Sequence, residues 1–261
     1  MTSDAVVGLV PAAGHARRLA LASGSKELLE VPDLTRTGDR SSIGQVPVCR
    51  YLLDQYRTAD IREVTVVRRA EKLDLAEYLE STACEDLAIE QLVVSPTPGS
   101  AHSLALGCER HSNRTIAIGF PDIVMTPNTL CREALAQLDR TGADVCLAHV
   151  PIPDEERDVW DKTELDGERV VGLVVKPAHL AYDRSWVMAV WRPVFSAYLI
   201  DWLVDDDKAG RVCGEIALSH PIQGAIAAGL HVTASFTPGG FALDVGKPDR
   251  LRAARALGRG L

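Results

Sequence analysis

Residues 6–29 read VVGLVPAAGHARRLALASGSKELL, and this stretch decides the fold class. The apolar run from Val6 to Val10 stops at Pro11 and Gly14, the pattern of a buried strand that ends in a loop. Ala12, Ala13 and Gly14 are small, so backbone N–H groups at the carboxyl end of this first strand can approach a phosphate with no side chain in the way. Arg17, Arg18 and, a little further on, Lys26 place positive charge beside that loop.

Downstream, helical spacing alternates with short apolar runs. Helices are predicted over 46–59, 72–79, 103–110 and 128–141, the last opening with a good cap; strands are predicted over 63–67, 89–94, 115–120 and 143–150. Polar residues 33–45 read as a surface excursion. Strands alternating with helices build βαβ units, so the expected class is α/β: a Rossmann-like, mostly parallel sheet flanked by helices, with ligands beyond the carboxyl ends of its strands. Beyond Pro151 the rhythm changes to strand-like pieces at 170–175 and 186–191 and helical stretches around 195–204 and 222–228. No repeat, low-complexity tract or proline-rich linker marks a boundary, so a single domain over 1–261 is expected.

A chain of 261 residues with 46% hydrophobic content can bury a full core. Its net charge of −8 argues against a nucleic-acid surface, which needs a basic field. Any phosphate ligand must instead meet a local cluster of Arg, Lys and backbone amides, with a metal as a possible addition. No run of about 18 uninterrupted apolar residues marks a membrane span, and the opening lacks the basic flank of a secretory signal. The six cysteines fall singly, which points to reduced thiols and a cytoplasmic location.

Two acids follow apolar runs. Asp122, in GFPDI, reads by itself equally as a turn former, and Asp244, in FALDVGKPDRLRAAR, by itself favours a turn residue. Lys176, in VVGLVVKPAHL, is by itself an ordinary surface lysine. Glu215, in CGEIAL, reads equally as an acid favoured at a helix start. His102 and His220 read as structural or surface histidines, and Trp186 and Trp191 as packing residues with a minor claim on a ligand pocket.

Taken in order, these segments resemble the sugar-1-phosphate nucleotidyltransferases, the nucleotide-sugar pyrophosphorylases, and in particular their glucose-1-phosphate thymidylyltransferase branch. PAAGHARRL followed by SKELLEV fills the opening signature, with Gly14, Arg18 and Lys26 at its positions. The resemblance implies that Arg18 and Lys26 are catalytic and meet a triphosphate together with the backbone of Ala12, Ala13 and Gly14. It makes Asp122 and Asp244 ligands of Mg2+, whose task is to neutralise the triphosphate. SPTPGSAHSLALG, residues 95–107, takes the place where the family reads the base, through Ser95 and Gly99. Lys176 falls where the family reaches the sugar phosphate and Glu215 where it contacts the sugar hydroxyls, with Gly172 also substrate-binding, although Val175 stands at the position of a family Glu.

The implied organisation is a nucleotide-binding half over 1–150 and a sugar-binding half with the terminal metal motif over 151–261. The terminal motif lies near the end of the chain, so the β-helical acyltransferase extension of some bifunctional relatives is not expected. The implied reaction joins a nucleoside triphosphate, with dTTP preferred, to a sugar 1-phosphate, with glucose 1-phosphate preferred. Homo-oligomerisation is possible; nucleic acid and membrane are not expected partners. Two rivals stay open: a non-catalytic nucleotide-sugar sensor or regulatory subunit, and a nucleotidyltransferase acting on another phosphorylated acceptor or a phosphonate.

Overall fold

The computed structural model describes residues 6–14, 24–35, 44–153, 159–177, 183–205, 212 and 215–257. The strands, in chain order, are β1 (Val6–Ala12), β2 (Glu30–Pro32), β3 (Gln45–Pro47), β4 (Glu63–Arg68), β5 (Ala88–Val93), β6 (Thr115–Gly119) and β7 (Ile123–Thr126). They continue with β8 (Val145–Pro151), β9 (Lys162–Asp166), β10 (Arg169–Val174), β11 (Arg184–Trp191), β12 (Val232–Phe236) and β13 (Phe241–Asp244). The helices are α1 (Cys49–Thr58), α2 (Leu73–Leu79), α3 (Ser100–Arg110), α4 (Leu130–Thr141), α5 (Pro193–Val204), α6 (Ser219–Ala227) and α7 (Pro248–Ala256).

Nine strands form one sheet in the order β5-β4-β1-β6-β11-β8-β12-β10-β9. Its first four strands are parallel, and so are β8 and β12. Strand β11 runs antiparallel between β6 and β8 and joins the two parallel groups. The β9–β10 hairpin hangs on β12 through a single pair, Arg169 with Thr233. Strands from both halves of the sequence therefore share one mixed, largely parallel α/β sheet, as the alternation of elements predicts.

The run 6–10 is apolar without a break because both faces of β1 are covered. Val6 and Val10 pack with residues of α1, α2 and α4, while Val7 and Leu9 pack on the opposite face with residues of α3, α5 and α6. Gly8 lies under the ring of Tyr56, where a Cβ would stand only 2.8 Å from ring carbons. That approach lets the buried Tyr56 hydroxyl donate to the carbonyl oxygens of Leu9 and Ala117, at 3.0 and 3.1 Å, and so tie β1 to β6.

Several boundaries differ from expectation. The ends of the supposed polar excursion 33–45 border a small antiparallel ribbon, β2–β3. Helix α4 begins at Leu130, and no side-chain cap bond starts it; the Thr129 hydroxyl donates instead to Glu133 Oε1, at 2.6 Å. Helix α3 begins at Ser100, three residues before the predicted start.

Candidate active site

Strands β1 and β6 are neighbours, so the loop after Ala12 and the segment Phe120–Asp122 leave the sheet at the same carboxyl edge. Lys26 comes to this edge from a single helical turn, residues 26–28. The turn is fixed from behind: the Ser25 N–H and hydroxyl both donate to Asp74 of α2, at 2.6 and 2.7 Å. The Lys26 ammonium then donates to Asp122 Oδ2 at 2.5 Å, and a Cβ on Gly14 would be 3.8 Å from Lys26 Nζ. The small-residue loop and the lysine thus meet.

Burial by itself would lower the Lys26 pKa, but the negative charges of Asp122, Glu27 and Asp244 outweigh it and hold the ammonium well above the ordinary lysine range. Asp122 shows the converse. Burial would raise its pKa, yet Lys26 keeps it below the ordinary carboxylate value. Beneath this pair, Glu27 is fully buried and accepts from Lys72 through both oxygens, at 2.7 and 2.8 Å.

Asp244 arrives from the far end of the sequence on a two-stranded antiparallel ribbon. Strand β13 pairs with β7 so that Asp244 lies opposite Ile123, and the Val245 N–H donates to the Asp122 carbonyl at 2.9 Å. The Gly246 N–H donates to Asp244 Oδ1 at 2.6 Å and sets the carboxylate's direction. A Cβ on Gly246 would stand 2.8 Å from Asp244 Oδ1 and 3.6 Å from Asp122 Oδ2, so both acids border the same small volume.

A second group forms around the segment leading into α6, with Gly99 and Glu215 in contact and Lys176 tied to Ser219 through Asp161. Gly99, before α3, packs so closely on Ile216 that a Cβ would lie 2.6 Å from its carbonyl oxygen and 3.0 Å from Glu215 Cγ. A protein contact alone therefore accounts for this glycine. The Ala101 N–H donates to the Ile216 carbonyl at 3.2 Å, joining the start of α3 to the segment that leads into α6. Ser95, Lys176 and Glu215 are exposed. Gly172 is buried in β10, and the space above it is taken by Glu164 of β9, 2.7 Å from where a Cβ would be.

Lys176 has a left-handed backbone, φ +42°, and its N–H donates to Asp161 Oδ1 at 3.0 Å. The other oxygen of Asp161 accepts the Ser219 hydroxyl, and the Ser185 hydroxyl donates to the Asp161 carbonyl at 2.7 Å. Burial raises the Asp161 pKa against the opposing hydrogen bonds from Ser219 and Lys176. Next to Ser185, the Trp186 ring tilts against Phe120, with centroids 6.0 Å apart. Phe120 lies two residues before Asp122, so this ring contact joins the segments that carry the two groups.

No protein-family model matches the chain, and no curated protein matches it. Solved structures do. One, assigned as a glucose-1-phosphate thymidylyltransferase from Bacillus anthracis and solved in complex with a sucrose, matches with a TM-score of 0.79 and 18% identity, covering 98% of this chain and 96% of its own. A UDP-glucose pyrophosphorylase complexed with UDP-glucose matches with a TM-score of 0.77 and 15% identity, over 96% and 97% of the two chains. A UTP-bound UGPase from Acinetobacter baumannii gives a TM-score of 0.74 and 16% identity, over 96% and 92%. The chain has the fold of the sugar-1-phosphate nucleotidyltransferases.

On this nucleotidyltransferase fold, Ala12, Ala13, Gly14, Lys26, Asp122 and Asp244 come to one edge. Gly99, Lys176 and Glu215 collect around α3, α6 and the end of β10. Arg18 lies outside the described residues. Sequence reasoning did not find Glu27, Lys72, Asp74 or Asp161. Glu27, a charged residue directly before the apolar pair Leu28 and Leu29, was the available signal for the buried pair. Among the described residues no helix is long and apolar enough to cross a membrane, and Cys49, Cys84, Cys108, Cys131 and Cys146 are free thiols.

Proposed function

We propose that the chain is a nucleotidyltransferase that joins a nucleoside triphosphate to a sugar 1-phosphate. A phosphate oxygen of the sugar 1-phosphate attacks the α-phosphorus in line. A new P–O bond forms, the bond to the β-phosphate breaks, and pyrophosphate leaves with the electron pair. Such a transfer needs positioning and charge neutralisation, not a covalent nucleophile. The observation that carries the reading is the meeting of Lys26, the Gly14 loop, Asp122 and Asp244 at the carboxyl edge of β1 and β6.

Each residue has a role in this reading. Lys26, with Arg18, binds the triphosphate and neutralises charge that develops as pyrophosphate departs. The backbone at Ala12–Gly14 follows the phosphates, and residues 95–99 border the base. Lys176 binds the acceptor's phosphate, while Glu215 contacts its hydroxyls. Asp122 and Asp244 fit a hard divalent cation, because two carboxylates border one small volume. Among the described residues no third His, Cys, Asp or Glu joins them, and Mg2+ accepts such a short protein set when phosphate oxygens and water complete its shell. Bound there, the cation would supply charge neutralisation and a fixed phosphate geometry.

The preferred pair is dTTP with glucose 1-phosphate, and UTP is the first alternative, since structural neighbours carry UTP and UDP-glucose. The test is pyrophosphate release with Mg2+, using a panel of sugar 1-phosphates, choline phosphate, polyol phosphates and phosphonates against the common triphosphates. Release with a sugar 1-phosphate supports the reading. Release with other acceptors only would move the activity to that class. Nucleotide-sugar binding with no release under any condition would make the chain a sensor.

A further inference from the structure

The geometry points to Asp161 as a positioning residue for the phosphorylated acceptor: its carboxylate pins the turn that carries Lys176 to the first residue of α6. This inference rests on the reading of Lys176 as the acceptor's phosphate ligand. Lysine enters the left-handed region at a cost, and it stays there when its surroundings hold it. At Lys176 the holding bond is its own N–H to Asp161 Oδ1, at 3.0 Å, with backbone φ at +42°. Pro177 follows at once and restricts the backbone on the other side.

Asp161 reaches three elements from one position. Its side chain accepts from Lys176, just past β10, and from Ser219, where α6 begins; its carbonyl accepts from Ser185 in β11, at 2.7 Å. Lys176 and Glu215 are exposed, whereas Asp161 is half-buried, so a partly covered acid sets the aim of exposed residues. Without that acceptor, the Lys176 N–H loses its partner and the turn can relax to negative φ. A side chain as long as lysine converts that backbone change into a displacement of its ammonium by several Å, on the order of 5 Å. An Asn at 161 would keep an acceptor for the Lys176 N–H and offer its NH2 to the Ser219 oxygen. Geometry, more than charge, is what Asp161 supplies.

The test compares wild type, Asp161→Ala and Asp161→Asn in steady-state pyrophosphate release with both substrates varied. Hydrogen exchange is followed on the peptide spanning 170–177. Asp161→Ala should raise KM for the sugar 1-phosphate by about tenfold or more while KM for the triphosphate stays within about twofold. Asp161→Asn should restore most of the loss. Exchange across 170–177 should quicken in the Ala variant and stay near wild type in the Asn variant. An unchanged acceptor KM in a folded Asp161→Ala, or an equal rise in both KM values, would overturn the inference. If Asp161→Ala does not fold, Ser219→Ala removes one arm and should give a smaller rise with the same selectivity; its absence is equally fatal. Should the wild type release no pyrophosphate with any acceptor, the functional reading fails separately. The exchange measurement then decides whether Asp161 holds the Lys176 turn.

Discussion

Lys26 and Glu27 are adjacent, yet they face opposite surroundings. The Lys26–Asp122 pair is partly open, with side chains 19% and 13% exposed, whereas Glu27 is sealed against Lys72 at 0% and 7%. Burial pulls the Lys72 pKa below the ordinary lysine value even with Glu27 beside it. Removing one partner of such a buried pair strands the other charge, so Lys72→Met should cost about 3–5 kcal/mol, read as a drop in the urea midpoint. Replacing both, as Glu27→Leu with Lys72→Met, should recover most of that loss. Lys26→Ala should behave differently. Turnover should fall on the order of 100-fold or more, as for other preorganised charge contacts, while the urea midpoint moves less than in Lys72→Met. Activity within a few-fold of wild type would make Lys26 an ordinary surface residue. Lys26 was legible because its neighbours form a pattern; the burial of Glu27 was not, because its partner lies 45 positions away in sequence.

At the scale of elements, strand β8 carries a buried histidine that couples it to β9. His149 Nδ1–H donates to the Leu147 carbonyl at 2.9 Å, so Nε2 is left to accept the Thr163 hydroxyl, also at 2.9 Å. Burial pushes its pKa down to about 4 from the ordinary 6.5. Between those values the unfolded chain binds a proton that the folded chain refuses, so stability should fall as pH drops from about 6.5 and level off near 4. The full contribution is roughly 3 kcal/mol. Urea midpoints at pH 7.5 and pH 5 should therefore diverge more in wild type than in His149→Gln, and equal divergence would refute the assignment. Strands β1, β4 and β6 were readable because burial on both faces makes them apolar runs. Strands β9 and β12, KTELD and VTASF, escaped because they are short and partly polar. The early start of α3 was also hidden, since it depends on Gly99 meeting the backbone of Ile216, a contact remote in sequence.

For the whole molecule, the order of the motifs along the chain was readable, and so was the class of sheet. The means of uniting Asp122 with Asp244 was not, because a four-residue ribbon, β7 with β13, carries no local signature of its partner. If both acids serve one cation, Asp122→Asn and Asp244→Asn should each impair turnover, and the double variant should be little worse than the poorer single. Full activity in the presence of a chelator would remove the metal from the scheme and leave Lys26 its phosphate. The same ribbon imposes an order in time. Every strand of the nine-stranded sheet is synthesised by Phe236, before Phe241 leaves the ribosome, so the growing chain holds its scaffold's strands while it still lacks the second acid. If the proposed function holds, a polypeptide stopped between Phe236 and Asp244 carries every strand of that sheet and should still fail to consume nucleoside triphosphate.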